Sequence, residues 1–249
     1  MRENRAKHKL QAGKRVTVAF GHNTSDMIDF LGPLGFDAIR IEMEHGSATW
    51  PELGDMSRAC DLWGMSSIAR VPANNPSLIG RTLDLGVNGI IVPHVNTKEE
   101  ALQVVDAAKY APVGHRGVGI GRHGYGAPDY LQKQNDETII VVMVEDIVGV
   151  KNLADILAVD NIDVFVVARG DLSHSMGYLG QPYHPEVVAT YDKSVAQIVA
   201  ARRIAGVQVT DGDVDKYIDM GVRYLSTDWQ KWVAAGASRF LKTIADRSS

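Results

Sequence analysis

Ile139-Ile140-Val141-Val142-Met143-Val144-Glu145-Asp146 is an unbroken apolar run that ends in two acids, and Val164-Phe165-Val166-Val167-Ala168-Arg169-Gly170-Asp171 repeats the pattern downstream. Runs this apolar read as parallel strands buried on both faces. A carboxylate at the end of such a strand is costly to bury unpaired. Two of them, Glu145 and Asp171, converging at one face of a parallel sheet suggest a divalent metal held by oxygen ligands. The alternative is structural: each acid caps the next helix or pairs with a nearby arginine.

Working outward, short β-rich runs alternate with helical spacing from end to end. The strand candidates are 15–20, 37–43, 66–71, 89–95, 138–145, 164–169, 204–209 and 224–229. Between them lie helical stretches such as 77–85 and 97–109, the latter opening with a Thr97–Glu100 capping box. Strands alternating with helices imply a parallel sheet, and eight strands close a (β/α)8 TIM barrel, so residues 1–249 read as one such α/β domain. Met1 to Lys14 reads as a short, polar, amphipathic or frayed helical lead-in. The span from 95 to 138 holds one helix and a Gly-rich loop, Gly114 to Pro128, long enough to be functional or mobile. Near the end, Trp232, Val233, Phe240, Leu241 and Ile244 give a helix more apolar area than a solvated tail needs. That pattern fits a helix packed on a neighbouring subunit, or an eighth barrel helix on its own.

Composition narrows the function classes. The chain has 249 residues, 45% of them hydrophobic and 22% charged, as in an ordinary soluble globular protein. A net charge of -4 argues against a nucleic-acid partner, and no apolar run is long enough to span a bilayer. The start of the chain lacks the apolar core of a signal peptide, and one cysteine, Cys60, suits a reducing cytoplasm.

In a barrel, chemistry sits at the carboxyl ends of the strands. Read in order, those ends carry Gly21-His22-Asn23, Glu42 to Gly46, Arg70, His94, Glu145, Arg169-Gly170-Asp171, Gln208-Val209-Thr210 and Thr227-Asp228. Arg70, fixed before Val71-Pro72, offers a forked donor to an oxyanion, or a brace for the rim. His45 and His94 are candidate bases near neutrality, and Glu42 and Glu44 flank His45. No strand candidate contains a lysine for imine chemistry, and no Ser lies on a G-x-S-x-G elbow. Gly117-Val118-Gly119-Ile120-Gly121 follows a helix and a turn rather than a strand, which removes the context for dinucleotide binding.

With Glu42, Glu44-His45, Arg70, Glu145 and Asp171 in place, the chain resembles the HpcH/HpaI family of metal-dependent pyruvate aldolases. The likeness runs through Phe36-Asp37 to Gly46, Arg70 to Pro76, Gly114 to Gly119 and Asn152 to Tyr178. The resemblance implies a barrel assembled as a hexamer, a trimer of dimers, with the last helix exchanged between subunits. It implies a place in the catabolism of aromatic compounds. It implies that Glu145 and Asp171 hold Mg²⁺, Mn²⁺ or Co²⁺, and that a 2-oxo acid substrate is cleaved by retro-aldol chemistry through a metal-bound pyruvate enolate. Arg70 then stabilises the enolate oxygen, and His45, oriented by Glu42, moves the proton. Backbone amides near Gly170, Asp171 and Leu172 receive the pyruvate carboxylate.

Several positions depart from the family. Glu42 replaces the usual Asp, and Met143 the usual Gln. Arg169 adds a charge beside the pocket. Ala19 stands for a Trp, and His94 for a Met. Ala19 and His94 are expected to widen the aldehyde side of the pocket and make it more polar, and Arg169 to meet an anionic tail or else pair with an acid. These changes leave open a decarboxylase, or another enolate-forming lyase, acting on an oxaloacetate-like acid. A non-catalytic barrel is a third reading.

Overall fold

In the computed structural model, which describes residues 2–247, eight parallel strands close a barrel in sequence order. They are β1 (Val16–Phe20), β2 (Ala38–Glu42), β3 (Ser66–Arg70), β4 (Gly89–Val92), β5 (Ile139–Val144), β6 (Val164–Val167), β7 (Ala205–Gln208) and β8 (Tyr224–Asp228). Each falls within one of the eight expected runs. The helices are α1 (Arg5–Gln11), α2 (Ser25–Leu31), α3 (Trp50–Leu62), α4 (Pro76–Asp84), α5 (Lys98–Ala108), α6 (Tyr130–Glu137), α7 (Ile147–Lys151), α8 (Leu153–Leu157), α9 (Arg169–Ser175), α10 (Pro185–Ala200), α11 (Val214–Asp219) and α12 (Trp229–Arg247).

The continuous apolar character of β5 and β6 has a direct cause. Val141, Met143, Val164 and Val166 point into the barrel with Val16, Val18, Ile68 and Tyr224. Ile140, Val142, Val144, Phe165 and Val167 point outward beneath the helices. Successive side chains alternate between faces, so a strand that is covered on both must be apolar at every position. Helix starts are set locally. The Thr97–Glu100 capping box forms, and a second one joins Thr49 and Glu52. Asn75 caps α4, with Pro76 in its first turn.

The lead-in is a plug rather than a frayed end. Ala6 and Leu10 of α1 join the interior cluster and close the amino-terminal floor of the barrel. Asn4 Nδ2 donates to the carbonyls of Asn88 and Glu137 at 3.0 and 2.9 Å. Lys7 Nζ donates to the Thr138 carbonyl at 2.7 Å and pairs with Asp163 at 3.2 Å.

The Gly-rich loop is also tied down. Arg116 Nη2 meets Asp84 at 2.6 Å, and a Cβ on Gly119 would lie 2.8 Å from the same carboxylate. Glycine is needed at Gly121, where a Cβ would lie 2.3 Å from the Asp84 carbonyl oxygen. α12 differs. Trp229 and Trp232 anchor its start to Asn23 and Asp211. Beyond them Phe240 (66% exposed), Leu241 (62%) and Ile244 (50%) stay uncovered, and the helix contains no buried residue. The eighth-helix alternative therefore does not hold beyond its first turn.

Because Leu10 is sealed under the barrel, Leu10→Ala is expected to cost about 2–5 kcal/mol, the range for emptying a buried leucine site. Urea unfolding measures this. A loss under about 1 kcal/mol would mean that α1 frays after all.

Candidate functional site

Arg70 closes β3 in register with Glu42, the last residue of β2. Its Nε donates to both Glu42 oxygens at 2.8 and 2.7 Å, and Nη1 pairs with Glu44 at 2.8 Å. The Met143 sulfur lies 3.9 Å from Nη1. Among the described residues Nη2 has no hydrogen-bond partner. Burial would raise the Glu42 pKa, but the Arg70 hydrogen bond and the charges of Arg70 and Arg40 outweigh it, so the carboxyl sits below its ordinary value. The guanidinium is thus clamped on one edge and open on another.

The turn after β2 is knitted by the same acid. Glu42 Oε1 accepts the backbone N–H groups of Glu44 and His45 at 2.9 and 3.2 Å. A Cβ on Gly46 would lie 2.6 Å from the Glu42 carbonyl oxygen, so only glycine lets the chain turn there. The expectation that Glu42 orients the His45 imidazole is corrected: Glu42 is committed to Arg70 and to backbone amides. The imidazole is mostly exposed, and its nearby acid is Glu44, at 3.9 Å. Sequence reasoning used Glu44 only as a flank of His45. Glu44 lies in the bend after β2, where strand alternation gives no signal.

Glu145 follows β5 and is 1% exposed. Its Oε1 accepts the His94 N–H at 2.9 Å, while the buried Oε2 has no hydrogen-bond partner among the described residues. Burial pushes its pKa up to about 7; the Asp171 charge adds to this, against the His94 amide, His94 and Arg70. Asp171 lies in the first turn of α9, just past β6, and β5 and β6 are paired through Val144 and Val167. A buried carboxylate oxygen without a partner, raised further by a second carboxylate, is what a cation would relieve. Among the described residues no group of three or more His, Cys, Asp and Glu is arranged to hold a metal. Two carboxylates would therefore need water and substrate oxygens to complete a shell.

His94 occupies the left-handed region, with φ 53. Its Nδ1 lies 3.0 Å from Asp146 and 3.7 Å from Glu145, and its Nε2 lies 3.7 Å from Glu44. Burial lowers its pKa, but the Asp146 hydrogen bond and the surrounding acids raise it overall. Asp146, absent from the expected site, enters it this way.

Other expectations change. The Leu172 N–H closes the first turn of α9 on the Ala168 carbonyl, and its side chain is buried in the core, so its amide is not open to a carboxylate. Gly170 has open space where a Cβ would sit. The Arg169 guanidinium reaches Asp213 at 3.4 Å and stacks over Tyr183 and Tyr191. It pairs with an acid rather than facing a substrate tail. Ala19 packs in the outer cluster, beneath the helices, so it does not widen the mouth; Phe20 is the neighbour that turns inward. Cys60 is buried, and burial pushes its thiol up, as a core residue. Lys109, lowered to about 7 by burial and by Lys7, binds the Thr138 carbonyl on the floor, at the far end from the acids.

The chain is similar to known proteins over most of its length. Residues 17–224 match the family described as HpcH/HpaI aldolase/citrate lyase. A hydroxypyruvate/pyruvate aldolase of Roseobacter denitrificans is 38% identical over 203 residues, covering 80% of this chain and 79% of that protein. A 4-hydroxy-2-oxo-heptane-1,7-dioate aldolase of Shigella flexneri is 31% identical, covering 99% of this chain and 95% of that one. The crystal structure of the citrate synthase SbnG superposes with a TM-score of 0.89 at 26% identity, over 99% of each chain. On the match to most of its length and on these relatives, the chain belongs to the HpcH/HpaI aldolase/citrate lyase family.

Proposed function

We propose that the protein cleaves a 4-hydroxy-2-oxo acid to pyruvate and an aldehyde, as a metal-dependent aldolase. The observation that carries this reading is the buried, half-unpaired Glu145 carboxylate beside Asp171, in a mouth that also holds Arg70 with a free donor edge. Glu145 and Asp171 would hold the cation, Mg²⁺, Mn²⁺ or Co²⁺. When bound, it supplies Lewis-acid charge next to the substrate's oxo group.

The chain's own residues do the rest. A base takes the proton of the 4-hydroxyl, and the C3–C4 bond breaks as that oxygen becomes the aldehyde carbonyl. The electron pair moves onto the 2-oxo oxygen, and protonation at C3 yields pyruvate. Arg70 directs Nη2 at the developing oxyanion, preorganised by Glu42 and Glu44. His45 moves the proton, with Glu44 as the acid near its Nε2. The N–H groups of Gly170 and Asp171, at the start of α9, receive the substrate carboxylate. The Met143 thioether beside Arg70, and the likeness to a citrate synthase, favour as second reading an enolate-forming lyase acting on an oxaloacetate-like acid.

A homo-oligomer, built as a hexamer from three dimers, belongs to the same proposal. The uncovered Phe240, Leu241 and Ile244 of α12 then pack on a neighbouring subunit. So does a cytoplasmic role in the breakdown of aromatic compounds, which the single buried thiol suits.

EDTA should abolish pyruvate release from a panel of 4-hydroxy-2-oxo acids, and Mg²⁺, Mn²⁺ or Co²⁺ should restore it. The sign of the pH dependence follows from Glu145. Its raised pKa means that the metal-free folded protein keeps this proton to higher pH than the unfolded chain. The group therefore destabilises the metal-free protein as pH rises from the ordinary carboxylate range to about 7. A cation needs the ionised form, so its affinity and its Tm increment should be larger at pH 8 than at pH 6, with proton release on binding below about 7. Glu145→Gln with undiminished metal affinity would sink the assignment.

Arg70→Lys keeps the charge but loses the planar fork. It is expected to lower kcat by on the order of 10²-fold or more, with little change in Tm. A grossly destabilised variant would show that Arg70 braces the rim instead.

Light scattering at micromolar concentration should report an oligomer. Phe240→Glu with Leu241→Glu should dissociate it, and a monomeric wild type would refute the role given to α12.

A further inference from the structure

Ile39 and Ile41 pack outward among the helices, so alternation along β2 sets Ala38, Arg40 and Glu42 on the inner wall. Arg40 is in register with Ile68 of β3, one of the apolar residues that fill the barrel. Its side chain is 13% exposed, and its guanidinium lies over the Phe20 ring at 3.5 Å. The acid it faces is Glu42. Nε approaches Glu42 Oε2 at 3.6 Å, an ion pair too long for a hydrogen bond. Among the described residues the buried Nε has no hydrogen-bond partner.

Stability is a poor reason for a cation in this place. Replacing buried charge with a packed apolar side chain is often neutral or stabilising. Burial, and then the like charge of Arg70, pull the Arg40 pKa down to about 10, so the group is charged at neutral pH at a cost in solvation. What its charge reaches is the carboxylate that holds Arg70. Glu42 Oε1 accepts Arg70 Nε and the N–H groups of Glu44 and His45, whereas Oε2 accepts Arg70 Nε and faces Arg40. The acid is thus held by the turn after β2, by Arg70 from β3 and by Arg40 from its own strand. Asp228, another acid near Arg40, is partly engaged elsewhere, since its Oδ1 accepts the Gln230 N–H.

We propose that Arg40 is a positioning residue: its charge holds Glu42 on Arg70 Nε, and so keeps Arg70 Nη2 directed at the oxyanion of the substrate. The inference rests on the aldolase reading, in which Arg70 stabilises the enolate. Arg40 acts from beneath the mouth, through Glu42, and does not touch the reacting atoms. Because the pair is too long for a hydrogen bond, charge carries the effect rather than the forked geometry of the guanidinium.

The test uses the metal-loaded full chain at pH 7. Pyruvate release gives kcat and KM, and calorimetry gives the Kd of oxalate, a planar anion shaped like the pyruvate enolate. Arg40→Leu should lower kcat and weaken oxalate binding by about 10-fold while KM changes by less than about twofold, the signature of support lost in the transition state alone. Arg40→Lys, which returns the charge without the fork, should restore both. In a Glu42→Gln background Arg40→Leu should have no further effect, because the residue through which it acts is already neutral. Should Arg40→Leu not fold, Arg40→Gln carries the same comparisons. Unchanged kcat and oxalate affinity in the neutral variant would overturn the proposal. So would equal losses in the neutral variant and Arg40→Lys, or losses that add to those of Glu42→Gln. A lowered Tm with KM and kcat both altered, and no rescue by lysine, would make Arg40 a structural residue only. If the wild type cleaves no 4-hydroxy-2-oxo acid but oxalate binding follows the expected pattern, the aldolase reading falls and the positioning role stands. A wild type that binds no oxalate would overturn both.

Discussion

Closure of the sheet governs the rest of the molecule. Each strand is paired on both sides in a parallel ring, and both faces are covered, one by the packed interior and one by helices. Buried polar groups without partners are costly in such a wall, so charged residues collect at the two ends. The amino-terminal end uses them as fasteners: Asn4, Lys7 and Lys109 hold carbonyls of the chain itself. The carboxyl end leaves some of their bonding capacity unused, as at Glu145 Oε2 and Arg40 Nε.

The charge balance at the mouth sets how its side chains are oriented. Glu42 lies between two guanidiniums, and Arg70 lies between two carboxylates. Deleting one member of a buried pair typically costs about 3–5 kcal/mol, because the partner is stranded. The pairs therefore support one another's orientation more than they add net stability. Glu145 is the exception. Among the described residues its buried Oε2 has no hydrogen-bond partner, and burial raises its pKa. On the proposed reading, a cation would supply the partner that this oxygen lacks.

Position in the ring also separates roles that sequence proximity would merge. Arg169 and Asp171 are two residues apart, yet one turns to Asp213 and two tyrosines while the other acts on Glu145. Arg40 and Glu42 share a face, but Arg70 takes the acid's hydrogen bonds and leaves Arg40 a longer ion pair at 3.6 Å. These are outcomes of competition among several possible partners. The winner depends on strand register and helix direction.

Much of the fold was legible in the chain by itself. The apolar runs, their number and the helical spacing between them specify the eight strands, because residue period and burial on two faces leave few other arrangements. Placement at strand ends also marked Glu145, Asp171, Arg70 and His45, since a barrel brings all such ends together. Tertiary structure alone decided which partner each group takes. It gave Glu42 to Arg70 instead of to the His45 imidazole, sealed the Leu172 amide inside α9, turned Ala19 toward the helices, and made α1 the floor. A sequence records which groups exist and their spacing along one strand or helix. Hydrogen-bond choice among groups far apart in the chain depends on distances of a few tenths of an ångström, which exist only once the ring has closed.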